Sequence, residues 1–240
     1  DCLLSRGLGD VYKRQILLLS AIIGQLLKER TSKERILYIS TASLSLVTLI
    51  GWMLLQTFDK IPTAAVLIKP FKNAMHEAFL TSGIDSNYRQ ILEESFRQMT
   101  VQLPSFLTIV IFIFVLINLI ITFPILRKFK VATPIFKPLF AWQMSRNLLW
   151  FYLIVLICVM IASEPSTFQS IVLNFDVVLS LVMYIQGLSV IHFFGKAKRW
   201  PNFATILVMV VGTLLTPATH IVGLLGVIDL CINLKKIIKK

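Results

Sequence analysis

The sequence predicts an all-α, polytopic transmembrane helix bundle that carries an extracytoplasmic amphipathic helical hairpin. Three observations predict it. Hydrophobic residues make up 56% of the 240 residues and mean hydropathy is +0.79, more apolar side chain than a soluble domain of this size can cover with its own polar surface. The apolar residues fall in runs close to the roughly 20 needed to cross a bilayer. The 24 Lys and Arg, against 12 Asp and Glu, cluster at the ends of those runs, as in the cytoplasmic loops of membrane proteins. On a soluble chain the net charge of +12 would suggest nucleic acid; clustered at span ends it points to a lipid bilayer, and no nucleic-acid partner is expected.

The first fifteen residues read as a non-native leader. Residues 5–15, SRGLGDVYKRQ, are what the adaptor of transposon-based sequencing libraries encodes in one frame, so residues 1–15 are set aside as adaptor-derived. The membrane domain is then 16–240, a single unit expected to be truncated at its N-terminal side. Residues 16–27 are apolar but short for a span. KERTSKER (28–35) follows with four basic residues. Residues 36–56 form a full, uncharged span with Trp52 as an interfacial anchor.

Residues 57–103 differ, with five basic and five acidic residues. Leu67, Phe71, Ala74, Met75, Ala78 and Phe79 recur at helical spacing, as do Tyr88, Ile91, Leu92, Ser95, Phe96 and Met99. Gly83 suits a helix end and Asp85 or Ser86 an N-cap. The pair reads as an outer hairpin. The next span is 106–126, between Pro104 and Pro124. Residues 127–146 carry five basic residues and no acid, with Pro134 and Pro138 keeping the loop irregular and Phe129, Phe136, Phe140 and Trp142 suited to the headgroup layer. Spans at 147–162 and 168–194 follow, separated by a turn with Glu164 and Pro165. GKAKRWPN (195–202) is basic again.

The last apolar run, 203–234, would be about 48 Å long as one helix, against a hydrocarbon layer of about 30 Å. It would also place KKIIKK (235–240) on the outer side. A break at Thr216–Pro217 gives two shorter helices and keeps the tail with the other basic segments. The four basic segments then share one side, with 16 Lys and Arg against two Glu. This predicts a multi-pass membrane protein with a cytoplasmic C-terminus.

Charged and amide groups inside a bilayer are costly and are candidates for function. Asp176, beside Asn174 and followed along one face by Ser180 and Gly187, could line a polar cavity; it could equally reach headgroup water or a neighbouring helix. Gln186 lies near mid-membrane and wants a partner helix. Gly187 permits close approach, and His192 reads as interfacial. Asp229 could pair with Lys198 or Arg199, pinning the last helix. His220 sits at the proposed turn, and Gly223, Gly226 and the pair Ser20 and Gly24 offer close helix contacts. Cys158 and Cys231 lie in apolar runs as small hydrophobes, and Glu93 and Glu94 read as a solvated face. No Walker loop, HExxH, GxSxG or metal-ligand spacing is present. No catalytic residue, metal or cofactor is therefore expected.

The stretch QGLSVIHFFGKAKRWP (186–201), then an apolar run, a proline and GLLGVIDLCINLKK (223–236), resembles the YybS family of bacterial membrane proteins, defined by a domain of unknown function. Residues 134–150 fit that family's inner loop and following helix. Its members are longer, which implies further spans ahead of this segment. The family is in turn similar to the substrate-binding components of energy-coupling-factor transporters. That implies a helix bundle with an outward-facing pocket and a transporter ATPase module or other membrane protein as partner. The resemblance and the polar residues together suggest a non-enzymatic protein that binds or helps move a small solute, with Asn174, Asp176 and Gln186 lining the pocket and the hairpin as a cover. The alternative is a scaffold or regulatory protein holding a cytoplasmic partner or anionic lipid on its 127–146 loop.

Overall fold

The computed structural model describes residues 2–58, 61–81, 86–135, 138–162 and 166–238; the side chains of 2–12, 14, 79–81, 86–89, 216 and 238 lie outside that description. Among the described residues ten α-helices follow in order: α1 (Cys2–Lys28), α2 (Lys33–Thr57), α3 (Ala64–Thr81), α4 (Ser86–Val101), α5 (Leu103–Lys128), α6 (Arg146–Ile161), α7 (Thr167–Ala197), α8 (Asn202–Leu214), α9 (Thr216–Ile232) and α10 (Leu234–Ile238). A single 3-10 turn, Leu139–Ala141, precedes α6, and no strand occurs among the described residues. α2, α5 and α7 are each long and apolar enough to cross a membrane. α6 covers about 24 Å at 1.5 Å per residue, short of the hydrocarbon thickness on its own. The chain divides into two compact units, Asp1–Phe136 and Lys137–Lys240.

In the first unit α2 packs on α1 and α5. α2 buries Lys33, Ile36, Leu37, Ser40, Thr41, Leu44 and Ser45, a three-four repeat that keeps one stripe of a helix facing its neighbours. α5 buries Ile111, Val115, Leu119 and Phe123, every fourth residue, with the last three fully excluded from solvent. Ser40, Thr41 and Ser45 make this seam small enough for close helix contact, as expected where lipid supplies no hydrophobic drive between helices. Lys33 had read as one more basic loop residue. It is instead 3% exposed, and its ammonium donates to the Ile135 carbonyl at 2.6 Å, anchoring the end of the loop that follows α5.

α3 and α4 pack on each other, so the hairpin is present, but its seam is phased differently from the expectation. Ile68 and Phe96 are buried, whereas Leu67, Phe71, Ile91 and Met99 are exposed. Phe71 meets Phe96 edge-on at 5.7 Å between ring centroids. The expected terminator Gly83 and N-cap Asp85 lie outside the described residues, as do the Phe79 and Tyr88 side chains.

The ends of α1, α5 and α7 share one construction. Thr31 N–H donates to Leu26 O and Arg30 N–H to Leu27 O; Val131 and Lys130 do the same to Leu126 and Arg127, and Trp200 and Arg199 to Gly195 and Lys196. This is the Schellman pattern, which satisfies the last carbonyls of a helix. The left-handed residue it requires, usually glycine, is here Arg30 (φ 51°), Lys130 (φ 61°) and Arg199 (φ 55°). The basic charge falls where the negative end of the helix dipole favours it, partly offsetting the backbone cost.

In the second unit α7 is the spine, packed against α6, α8, α9, α10 and the 3-10 turn. The last long apolar run is broken where charge and length had suggested. α8 ends at Leu214, α9 begins at Thr216, and the two are bent by 112°. Pro217 stands in the first turn of α9, where its missing N–H has no partner to lose.

Candidate functional site

The most polar interior point of the second unit lies where α7 crosses α9. Two glycines make the crossing. A Cβ on Gly187 would lie 1.8 Å from Val222 O, and one on Gly226 would lie 1.9 Å from Met183 O. Only residues without a side chain allow the backbones this close. Gln186 adjoins one glycine, and Asp229 lies three residues after the other. Close approach therefore brings their side chains together, and both are 0% exposed.

Gln186 Nε2 donates to Asp229 Oδ2 at 2.6 Å, and Gln186 Oε1 accepts from Met144 N–H at 3.1 Å. The other carboxylate oxygen, Asp229 Oδ1, accepts from Lys235 N–H at 3.2 Å, just past the left-handed Asn233 that ends α9. One turn along α7, the Ser189 hydroxyl lies 2.6 Å from Leu139 O and 3.0 Å from Trp142 O. Having one proton, it donates to one carbonyl at a time. It accepts from the Lys235 ammonium at 2.6 Å, and that ammonium also donates to Trp142 O. Gln143 Nε2 donates to Asn233 Oδ1 at 2.5 Å. Burial pushes the Lys235 ammonium below the usual lysine range, and the Asp229 charge opposes that. The network ties three stretches of chain into one knot: α7, the 139–144 segment, and the α9–α10 turn. Met144, Leu149, Met183 and Leu230 form the apolar packing beside it.

The expected cavity lined jointly by Asn174, Asp176 and Gln186 is not what the fold builds. Gln186 is packed and hydrogen-bonded on both sides, so it belongs to the knot. Asp176 lies ten residues earlier on α7, about 15 Å along the axis. Asn174 Nδ2 donates to Ser170 O on its own helix at 2.8 Å. Asp229 takes Gln186 and a backbone N–H as partners rather than Lys198 or Arg199, because the glycine crossing turns it towards α7. Arg199 acts through its backbone as the cap of α7, with its side chain exposed. His192 stacks edge-on with Phe140 at 5.5 Å, and its Nδ1 is buried without a hydrogen-bond partner. His220 is exposed.

Asp176 keeps a distinct character. It is half-buried, with Ser180 one turn on along the same helix, and its Oδ1 is buried with no hydrogen-bond partner. The Ser180 hydroxyl lies 3.5 Å from the Tyr152 hydroxyl on α6. Asp176, Ser180 and Tyr152 thus form a polar string between α6 and α7. A separate cleft of about 250 Å³ is lined by Phe140, Ala141, Trp142, Gln143, Phe193, Lys235 and Lys236, beside the knot, with which it shares Trp142, Gln143 and Lys235. Among the described residues no group of three or more His, Cys, Asp or Glu is placed to hold a metal ion. Sequence reading grouped Ser189 with Gln186 but did not pick out Lys235 or Tyr152, since each acts through a partner distant in the chain.

No solved structure matches the chain. A curated relative, "Uncharacterized protein YybS" of Bacillus subtilis (strain 168), is 26% identical over 151 residues, covering 62% of this chain and 49% of the relative. The chain therefore spans about half the length of that relative. The family model described as "Predicted membrane protein (DUF2232)" matches residues 8–230, which takes in the whole of α2, α5 and α7 and the α7–α9 crossing. The chain belongs to this DUF2232 family of multi-pass membrane proteins.

Proposed function

We propose that this chain is the membrane-embedded part of a non-enzymatic protein that binds a small solute and helps move it across the bacterial cytoplasmic membrane. The observation that carries the reading is Asp176. A carboxylate oxygen buried in a spanning helix without a hydrogen bond costs on the order of 1–3 kcal/mol, and such groups in membrane proteins mark substrate and ion pathways. A ligand N–H or a small cation would satisfy Asp176 Oδ1, with Ser180 and Tyr152 as neighbouring polar contacts. With the basic segments and C-terminal tail on the cytoplasmic side, Asp176 lies towards the outer face. A transporter ATPase module or another membrane protein is the partner such a role requires.

The test is a stability screen of the full chain in neutral detergent against small cations, amines and polar solutes. A ligand at a hundred times its Kd should stabilise the wild type by about 2.7 kcal/mol and leave Asp176→Asn unmoved. The reading fails if no solute stabilises the wild type, or if the variant responds equally.

A further inference from the structure

The cleft beside the knot shares no lining residue with the Asp176 string, and its chemistry is different. Three aromatic residues, Phe140, Trp142 and Phe193, line it together with Lys235 and Lys236. The Lys196 ammonium sits 4.2 Å over the centroid of the Phe140 ring, adding a third positive charge. Among the described residues no carboxylate lines the cleft. Asp229, the acid nearest in the network, is fully buried and spent on Gln186 and the Lys235 N–H. The Lys235 ammonium donates to Trp142 O and Ser189 Oγ, and an ammonium has three protons to give.

The walls are also preorganised. Trp142 is held through its carbonyl by Lys235, and the adjoining Gln143 and Met144 are tied to Asn233 and Gln186. A rigid site loses little ordering entropy on binding. At about 250 Å³ the cleft falls below the roughly 300–1,000 Å³ of pockets for drug-sized ligands. It suits a small anionic group with an apolar continuation. In a multi-pass membrane protein, aromatic rings and lysines at the end of a span lie at headgroup level. There a phosphate is the abundant anion, and a glycerol ester is the apolar continuation.

We propose that this cleft binds the phosphate headgroup of an anionic phospholipid, with Lys235, Lys236 and Lys196 facing the phosphate and the rings of Phe140, Trp142 and Phe193 against the glycerol. The site shares no residue with the Asp176 string, so either proposal can fail without the other. Lys235 also holds the knot, so the informative variant is Lys196→Gln with Lys236→Gln, both exposed side chains.

The experiment is native mass spectrometry of the full chain from neutral detergent, titrated with phosphatidylglycerol and, in a parallel arm, phosphatidylcholine. The wild type should retain one phosphatidylglycerol in preference to phosphatidylcholine. The double variant should lose that preference by roughly fivefold per lysine, while Lys128→Gln with Lys130→Gln, at the exposed end of α5, should not. Inorganic phosphate at millimolar concentration should not displace the lipid. Equal retention of both lipids by the wild type, an equal loss in the α5 control, or displacement by inorganic phosphate would each overturn the proposal, the last by showing a site for a free anion.

Discussion

Replacing Gly187 with alanine tests the α7–α9 crossing directly. The new methyl would start 1.8 Å from the Val222 carbonyl oxygen, and real Cβ atoms essentially never come within 3.0 Å of such a neighbour. The obstacle is backbone, so the helices must part by roughly 1.2 Å to reach even a tight contact. The same movement stretches the 2.6 Å bond between Gln186 and Asp229 beyond hydrogen-bonding range. Overpacking of this kind costs about 1–3 kcal/mol, and a buried polar group left without its partner about 1–3 more. The better helix propensity of alanine returns up to about 1 kcal/mol. The net expectation is a loss of about 1–6 kcal/mol. Reversible unfolding in mixed micelles, followed by tryptophan fluorescence, measures it. Gly223→Ala is the control, since nothing lies within 4 Å of a Cβ there; it should be neutral or gain up to about 1 kcal/mol. A Gly187→Ala protein within about 0.5 kcal/mol of wild type, the scatter of an ordinary surface change, would refute the reasoning. So would an equal loss in both variants.

Two further expectations concern the same elements. Gln186→Leu keeps volume but leaves Met144 N–H and Asp229 Oδ2 without their partner, and should cost about 2–5 kcal/mol; a double-mutant cycle with Asp229→Leu should show the two losses to be non-additive, and simple additivity would mean that they do not act as a pair. Lys130→Gly should stabilise the end of α5 by up to about 1 kcal/mol, because glycine adopts the left-handed cap without a Cβ penalty, whereas Lys130→Val should destabilise it in the same unfolding assay.

The spans were legible in the sequence because a bilayer imposes its own thickness on them. The edges of α2, α5 and α7 follow from where apolar residues give way to charge, and the break before Pro217 followed from length and lysine placement. The hairpin was legible as two amphipathic helices, yet its seam runs through Ile68 rather than Leu67. Adjacent apolar residues satisfy nearly the same periodicity, and only the partner helix decides between them. The knot was half legible. Gln186, Gly187 and Asp229 stood out as costly or unusually small residues in an apolar run, but their pairing depends on the crossing point of α7 and α9. Lys33 and Lys235 were hidden for a different reason. Both look like loop charges in a basic segment, and only the fold brings the Ile135 and Trp142 carbonyls to their ammonium groups.

The bond from Gln186 to Asp229 spans 43 residues of chain, and this separation orders events during synthesis. At 5–20 residues per second, about two to nine seconds separate the making of the two partners. Throughout that interval α7 carries a mid-helix amide whose carboxylate partner does not yet exist. In lipid an amide in that state seeks any available acceptor. The glycine at 187 leaves it open to any passing helix until α9 arrives with a matching glycine and a carboxylate one turn beyond. Docking of α9 is thus the step that commits α7 to its native neighbour. The sooner it docks, the shorter the interval in which the nascent chain can pair with the wrong helix.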